Sequence, residues 1–285
     1  MREILIEKYT GELVPFEPEI LIKSLSKSGA SQQEVEEVFR KVYQRLKHGM
    51  TTQQVYQYAF EELRKIRKSY AARYNLKKAL RDLGPEGFHF ESWIARLFKE
   101  MHCQTRQGIT LQGKAVTHEI DVLAMSENQL HLGECKFKND TNAKTPVTTP
   151  MYFLSRFNDL KETEFEFFGR KMHPTHPWLF TNAHFTSDAI DFAEYYGINL
   201  MAWSYPPGKS IKERVDGIAF YPITCLTTLE NKQVKDLLNA GIILVKEMLN
   251  NPEVFKIIQV SDKLKKEILE EATELVEVII PKNMS

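Results

Sequence analysis

The feature that most constrains this chain is the stretch from Val116 to Phe137, VTHEIDVLAMSENQLHLGECKF. Two runs alternate in character on either side of a polar SEN turn, which predicts an antiparallel hairpin. In the first run Val116, His118, Ile120 and Val122 share one face, and Thr117, Glu119, Asp121 and Leu123 share the other. In the second, Leu130, Leu132, Glu134 and Lys136 fall together. In the right register Asp121 meets Glu134 and Lys136. Two acids and a lysine at strand ends suit metal-assisted phosphodiester cleavage. Carboxylates hold a hard cation through oxygen ligands. The cation polarises phosphate and acidifies water. The lysine orients that water or offsets charge on the phosphorane. A solvated ion pair between Glu134 and Lys136 is the competing reading and would be worth little. Leu130 and Leu132 on their face argue for burial, where unpaired charge is costly. Glu119 shares the Asp121 face and competes as a ligand. His118 reads as an ordinary strand histidine.

The ordered segments GFHFESWIARLF, HEIDVLA and HLGECKF resemble the PD-(D/E)XK nuclease superfamily, and within it the Mrr-like restriction endonuclease branch. The resemblance implies an α/β fold, with a restriction-endonuclease-like mixed sheet flanked by helices over residues 85–222. It implies Asp121, Glu134 and Lys136 as the catalytic core and Glu91 as an auxiliary acid. It further implies Mg²⁺ or Mn²⁺ held by Asp121 and Glu134, and double-stranded DNA as substrate. Ile120 stands where the family carries Pro. Glu91 lies at the edge of an amphipathic helix whose apolar face is Phe90, Ile94, Leu97, Phe98 and Met101; a structural salt bridge is the alternative role. The polar loop after Lys136 puts Lys138 and Lys144 where substrate could lie. Tyr152 and Arg156 resemble the LYxxxRF region that follows the catalytic strand in such relatives.

Residues 4–16 read as a hairpin around Thr10-Gly11, followed by helices. Ser31 with Glu34, and Thr51 with Gln54, are capping-box patterns. KYTGELVPFEPEI, GMTTQQVY and SYAARYNL resemble the ATP-cone domain, so a mostly helical cone-like domain is expected over residues 1–84. That resemblance implies ATP or dATP as a ligand, with Lys8 as the phosphate contact. The usual Lys-Arg pair is reduced to Lys8, and Glu19 replaces another lysine. Docking or dimerisation is therefore the alternative use, and a homo-oligomer is expected. From Arg64 to Arg81 the chain is strongly basic, which reads either as a phosphate-contacting stripe or as a solvated helix face. Gly84-Pro85 marks a boundary. Residues 223–285 resemble a small helix-hairpin-helix-like module around Ala240-Gly241-Ile242.

Among 285 residues, 38 basic and 38 acidic side chains balance. That is not the balance of a simple nucleic-acid coat, and local patches matter more than totals. No apolar run is long enough to span a membrane. MREILIEKYT lacks the core of a signal peptide. Three scattered cysteines suggest reduced thiols, and so a cytoplasmic protein. His173 and His176 lack cysteine partners and read as loop residues. The absence of a Walker A loop excludes an ATP motor. The leading expectation is a Mg²⁺-dependent DNA endonuclease. The rivals are a nucleotide-responsive DNA-binding or assembly protein with a non-catalytic nuclease fold, and an RNA-directed or repair nuclease.

Overall fold

The structure, a computed structural model, describes residues 4–84, 87–140 and 142–277. Strands β1 (Leu5–Glu7) and β2 (Leu13–Pro15) pair antiparallel as the expected hairpin, and β3 (Met50–Thr51) joins β1 in parallel. Helices α1 (Pro18–Ser26), α2 (Gln32–Arg45), α3 (Thr52–Ile66) and α4 (Lys68–Tyr74) follow. The capping boxes form as expected, Ser31 with Glu34 on α2 and Thr51 with Gln54 on α3. Each satisfies backbone donors that a helix start leaves without partners. The apolar stripes bury Leu21, Leu25, Val35, Val38, Val42 and Leu63 in one core. Helix α5 (Leu76–Arg81) completes the expected helical segment. Pro85 lies outside the described residues, so the expected Gly84-Pro85 break does too.

The central sheet belongs to residues 77–222. Helix α6 (Phe88–Glu100) leads into β4 (Gln104–Gln112), β5 (Thr117–Met125) and β6 (Leu130–Cys135). Then come β7 (Lys144–Thr145), α7 (Thr148–Leu160), the hairpin β8 (Phe165–Phe167) and β9 (Arg170–Met172), and β10 (His176–Phe180). The chain continues through β11 (His184–Phe185), α8 (Ser187–Tyr195), β12 (Asn199–Met201) and α9 (Ile211–Ile218). Sheet order is β12-β10-β6-β5-β4, parallel on the β6 to β12 side and antiparallel on the β4 to β6 side. This is a mixed sheet flanked by helices, as expected. On one face Phe98 of α6 packs edge-on against Trp178 and Phe180. Gly133 admits that layer: a Cβ there would sit 3.2 Å from the Val122 carbonyl oxygen and 3.3 Å from the Phe180 ring. On the other face Phe157 and Leu160 of α7 cover Leu123, Met125, Leu130 and Leu132. No helix among the described residues is long and apolar enough to cross a membrane.

Residues 223–277 return to the first core as α10 (Asn231–Asn239), α11 (Val245–Leu249), α12 (Val254–Ile258) and α13 (Asp262–Glu277). Met1–Leu76 and Ile223–Ser285 make one compact unit, and Lys77–Pro222 makes the other. The helical module is thus grouped with the N-terminal segment rather than standing alone. The basic stretch explains the grouping. Lys68 Nζ lies 2.9 Å from a Glu267 carboxylate, and Ser69 Oγ donates to Glu274 at 3.0 Å. The buried Arg73 guanidinium donates to the carbonyls of Glu274 and Leu275 at 3.1 and 3.0 Å. Arg64 donates to the Thr227 carbonyl at 3.2 Å. These cations hold α13 and the segment before α10. Much of the stripe is therefore engaged within the protein, contrary to a continuous phosphate-contacting face.

Candidate active site

Asp121 and Glu134 come together because β5 and β6 pair in the register that the hairpin expectation needs. Leu123 lies opposite Leu132 and Val122 opposite Gly133. One further rung sets Asp121 across from Glu134, and Asp121 Oδ2 accepts the Cys135 N–H at 2.6 Å. Strict alternation is broken near this point. Ile120 packs into the same cluster as Leu123 and Met125. The break lies where β4 passes: Gln107 pairs with Val122 and Ile109 with Ile120, and Gly108 between them has φ +56. A left-handed residue disturbs the pleat, and glycine is the residue that adopts it without a Cβ clash.

Glu134 is buried, with its side chain 6% exposed. Its Oε1 accepts from Lys136 Nζ at 2.6 Å and its Oε2 from Arg156 Nη1 at 2.5 Å. The second Arg156 nitrogen donates to the Glu119 carbonyl oxygen. The surface ion-pair alternative for Glu134 therefore fails on burial. Lys136 keeps its ammonium more open, at 37% exposure. Glu91 enters from the first turn of α6. Burial pushes its carboxyl up to about 7, helped by the charges of Asp121, Glu119 and Glu134 and opposed by Lys136. Burial and then Glu134 push Asp121 up to about 6, against the Cys135 N–H, Lys136 and Arg156. Four carboxylates thus act on one another in the presence of two cations. Such mutual repulsion is a feature of functional sites.

The four residues expected as the catalytic set, Glu91, Asp121, Glu134 and Lys136, meet in this region. Lys8 belongs to the other unit and pairs with Glu12 at 3.5 Å on an exposed turn. His118 is structural, as expected: its Nε2 lies 2.8 Å from Asp159 Oδ2, and Asp159 also accepts the N–H groups of Ala115 and Val116. Arg156, singled out with Tyr152 by the LYxxxRF resemblance, also enters the region, and its contact with Glu134 is what the sequence did not assign. It projects from the helix that buries Phe153, Phe157 and Leu160.

Among the described residues no three His, Cys, Asp or Glu side chains form a group that could hold a metal ion alone. Two oxygen-donor acids fit Mg²⁺ or Mn²⁺ better than zinc. Mg²⁺ commonly takes one or two carboxylates, keeps several waters and uses substrate phosphate oxygens for the rest. The repulsion between Asp121 and Glu134, which Lys136 and Arg156 only partly offset, also fits a metal ion held there.

A family model described as AF1548-like, C-terminal, matches residues 221–276. An uncharacterized protein of Archaeoglobus fulgidus is 31% identical over 184 residues, covering 64% of this chain and 99% of that protein. The crystal structure of the protein of unknown function AF1548 is similar with 30% identity and a TM-score of 0.54, over 66% of this chain and 97% of that one.

Proposed function

The chain belongs to the AF1548-like family, and from the geometry of its own site we propose that it is a Mg²⁺- or Mn²⁺-dependent DNA endonuclease with a restriction-endonuclease-like core of Mrr type. The observation that carries the reading is the convergence of Asp121, Glu134 and Lys136 at adjoining strand ends, with Glu91 alongside. Asp121 and Glu134 are the residues to hold the cation. When bound, that cation supplies Lewis acidity toward the scissile phosphate. Lys136 Nζ, the more exposed cation, orients the attacking water and offsets charge growing on the phosphorane. Glu91, with its carboxyl near 7, takes up or releases a proton close to neutral pH, where general acid–base work is most effective. Arg156 is a positioning residue that holds the Glu134 carboxylate toward the strand end. In the other unit, ATP or dATP bound through Lys8 is proposed as a regulator.

A second reading has one observation in its favour. Both Glu134 oxygens are engaged, by Lys136 and by Arg156. On that reading the fold serves binding or nucleotide-responsive assembly and cuts nothing. The Lys136→Ala protein separates the two. The nuclease reading expects it to bind Mn²⁺ calorimetrically, as wild type does, while losing nicking of supercoiled plasmid. Loss of Mn²⁺ binding in this variant contradicts the division of roles, and a wild type that neither binds Mn²⁺ nor nicks supports the binding-only reading.

A further inference from the structure

Beyond Lys136 the chain is laced to the end of β10 and its extension. Lys136 N–H donates to the Phe180 carbonyl at 2.7 Å, and Thr181 Oγ1 donates to the Lys136 carbonyl at 2.7 Å. Lys138 N–H donates to Asn182 Oδ1 at 2.8 Å, and Asn182 Nδ2 returns a bond to the Lys138 carbonyl at 2.9 Å. Asn182 thus stands in for a strand rung with its side chain. The lacing delivers the following loop to β7, which pairs in parallel with β11 so that Lys144 lies in register with His184. Residues in register on adjoining strands share a sheet face. Lys77 reaches the same loop, its Nζ donating to Asn142 Oδ1 at 3.1 Å.

The result gathers the ammonium groups of Lys77, Lys138 and Lys144 around the neutral His184 imidazole, from three separated parts of the sequence, on the segment that continues from Lys136. Its electrostatics agree with the geometry. Burial lowers the pKa of both Lys77 and His184, and Lys77 and Lys144 lower that of His184 further. Asp140 is the acid that acts on Lys77, and its Oδ1 is engaged by the Asn142 N–H at 2.9 Å. No carboxylate among the described residues is ion-paired to Lys138 or Lys144. Like charges gathered in this way repel one another, and a bound anion relieves the repulsion.

We propose that Lys138, Lys144, Lys77 and His184 form a track for backbone phosphates of double-stranded DNA, continuous with the cleavage site at Lys136. The choice of DNA rests on the nuclease reading above; the anion-binding geometry stands by itself. Phosphate contacts release counterions, so each one steepens the salt dependence of binding by about 0.9 units.

The test uses the full chain and a short fluorescein-labelled duplex in EDTA, followed by anisotropy at salt concentrations from about 50 to 200 mM. Lys77→Gln with Lys144→Gln should weaken binding roughly tenfold or more and flatten the log–log slope by about two units. A charge-matched control, Lys161→Gln with Lys171→Gln, should keep the wild-type affinity and slope. Equal behaviour of the two double variants overturns the track, as does a wild type that shows no salt-dependent binding. Binding that depends on Lys77 and Lys144 in a protein that cuts nothing with Mg²⁺ or Mn²⁺ upholds the track and sinks the nuclease reading. Cleavage by wild type with unchanged binding in the Lys77/Lys144 variant does the reverse.

Discussion

Replacing Asp121 with Asn removes one negative charge from a cluster that holds too many. Asp121 moves from an ordinary 3.8 up to about 6 on folding, through burial and the nearby Glu134 carboxylate. A carboxyl raised in this way favours the folded state while protonated. Its cost begins above the unfolded value and is complete once pH passes the folded one, so the window is about pH 4 to 6. Two units correspond to about 3 kcal/mol at most. Partial solvent access reduces this to about 1–2 kcal/mol. Asn can still accept the Cys135 N–H, so that bond does not offset the gain. Asp121→Asn should therefore stabilise the metal-free protein at pH 8 by about 1–2 kcal/mol, or roughly 4 °C in Tm. At pH 5 the gain should fall by about half, because Asp121 is then mostly protonated in the folded wild type. Urea unfolding in EDTA at the two pH values reads both quantities. Mg²⁺ should stabilise wild type and leave the variant unmoved. A variant less stable than wild type at pH 8, or a gap independent of pH, refutes the electrostatic account of the site.

Two further outcomes concern the same site and a third concerns Lys8. Metal binding should strengthen between pH 6 and 8, because Asp121 near 6 and Glu91 near 7 must lose protons before their charges attract a cation; Mn²⁺ calorimetry across that range checks this, and a flat profile contradicts it. Arg156→Ala strands the buried Glu134 charge and should cost about 3 kcal/mol in EDTA, with Mn²⁺ restoring more stability to the variant than it adds to wild type; an equal Mn²⁺ effect in both proteins contradicts the positioning role. Titration of ATP and dATP into the full chain should give binding that Lys8→Ala weakens about tenfold, and no heat at millimolar nucleotide removes the regulatory proposal.

Local patterns carried much of this structure. The capping boxes at Ser31 and Thr51, the Ser126-Glu127-Asn128 turn and the face shared by Glu134 with Leu130 and Leu132 follow from spacing alone, and the structure reproduces them. Strand β4 left a weaker trace. Only Leu111 of its residues is fully buried, and Gly108 interrupts it. The grouping of residues 223–277 with the N-terminal segment left none, because it depends on partners some 200 positions apart, such as Lys68 with Glu267 and Ser69 with Glu274. In sequence the basic stretch shows its charges and hides the carboxylates and carbonyls that engage them. Arg156 was flagged by resemblance, but its partner Glu134 was hidden for a related reason: the contact joins α7 to β6, and no periodicity within either element encodes it.

Asp121 and Glu134 are proposed as a metal-dependent cutting site. That role is tested most directly by incubating supercoiled plasmid with wild type, Asp121→Ala and Glu134→Ala in Mg²⁺, in Mn²⁺ and in EDTA. Wild type should yield nicked or linear DNA with either metal and none in EDTA, and each variant should lose at least a hundredfold while circular dichroism shows both folded. Cleavage that persists in EDTA, or that either folded variant retains at the wild-type rate, contradicts it.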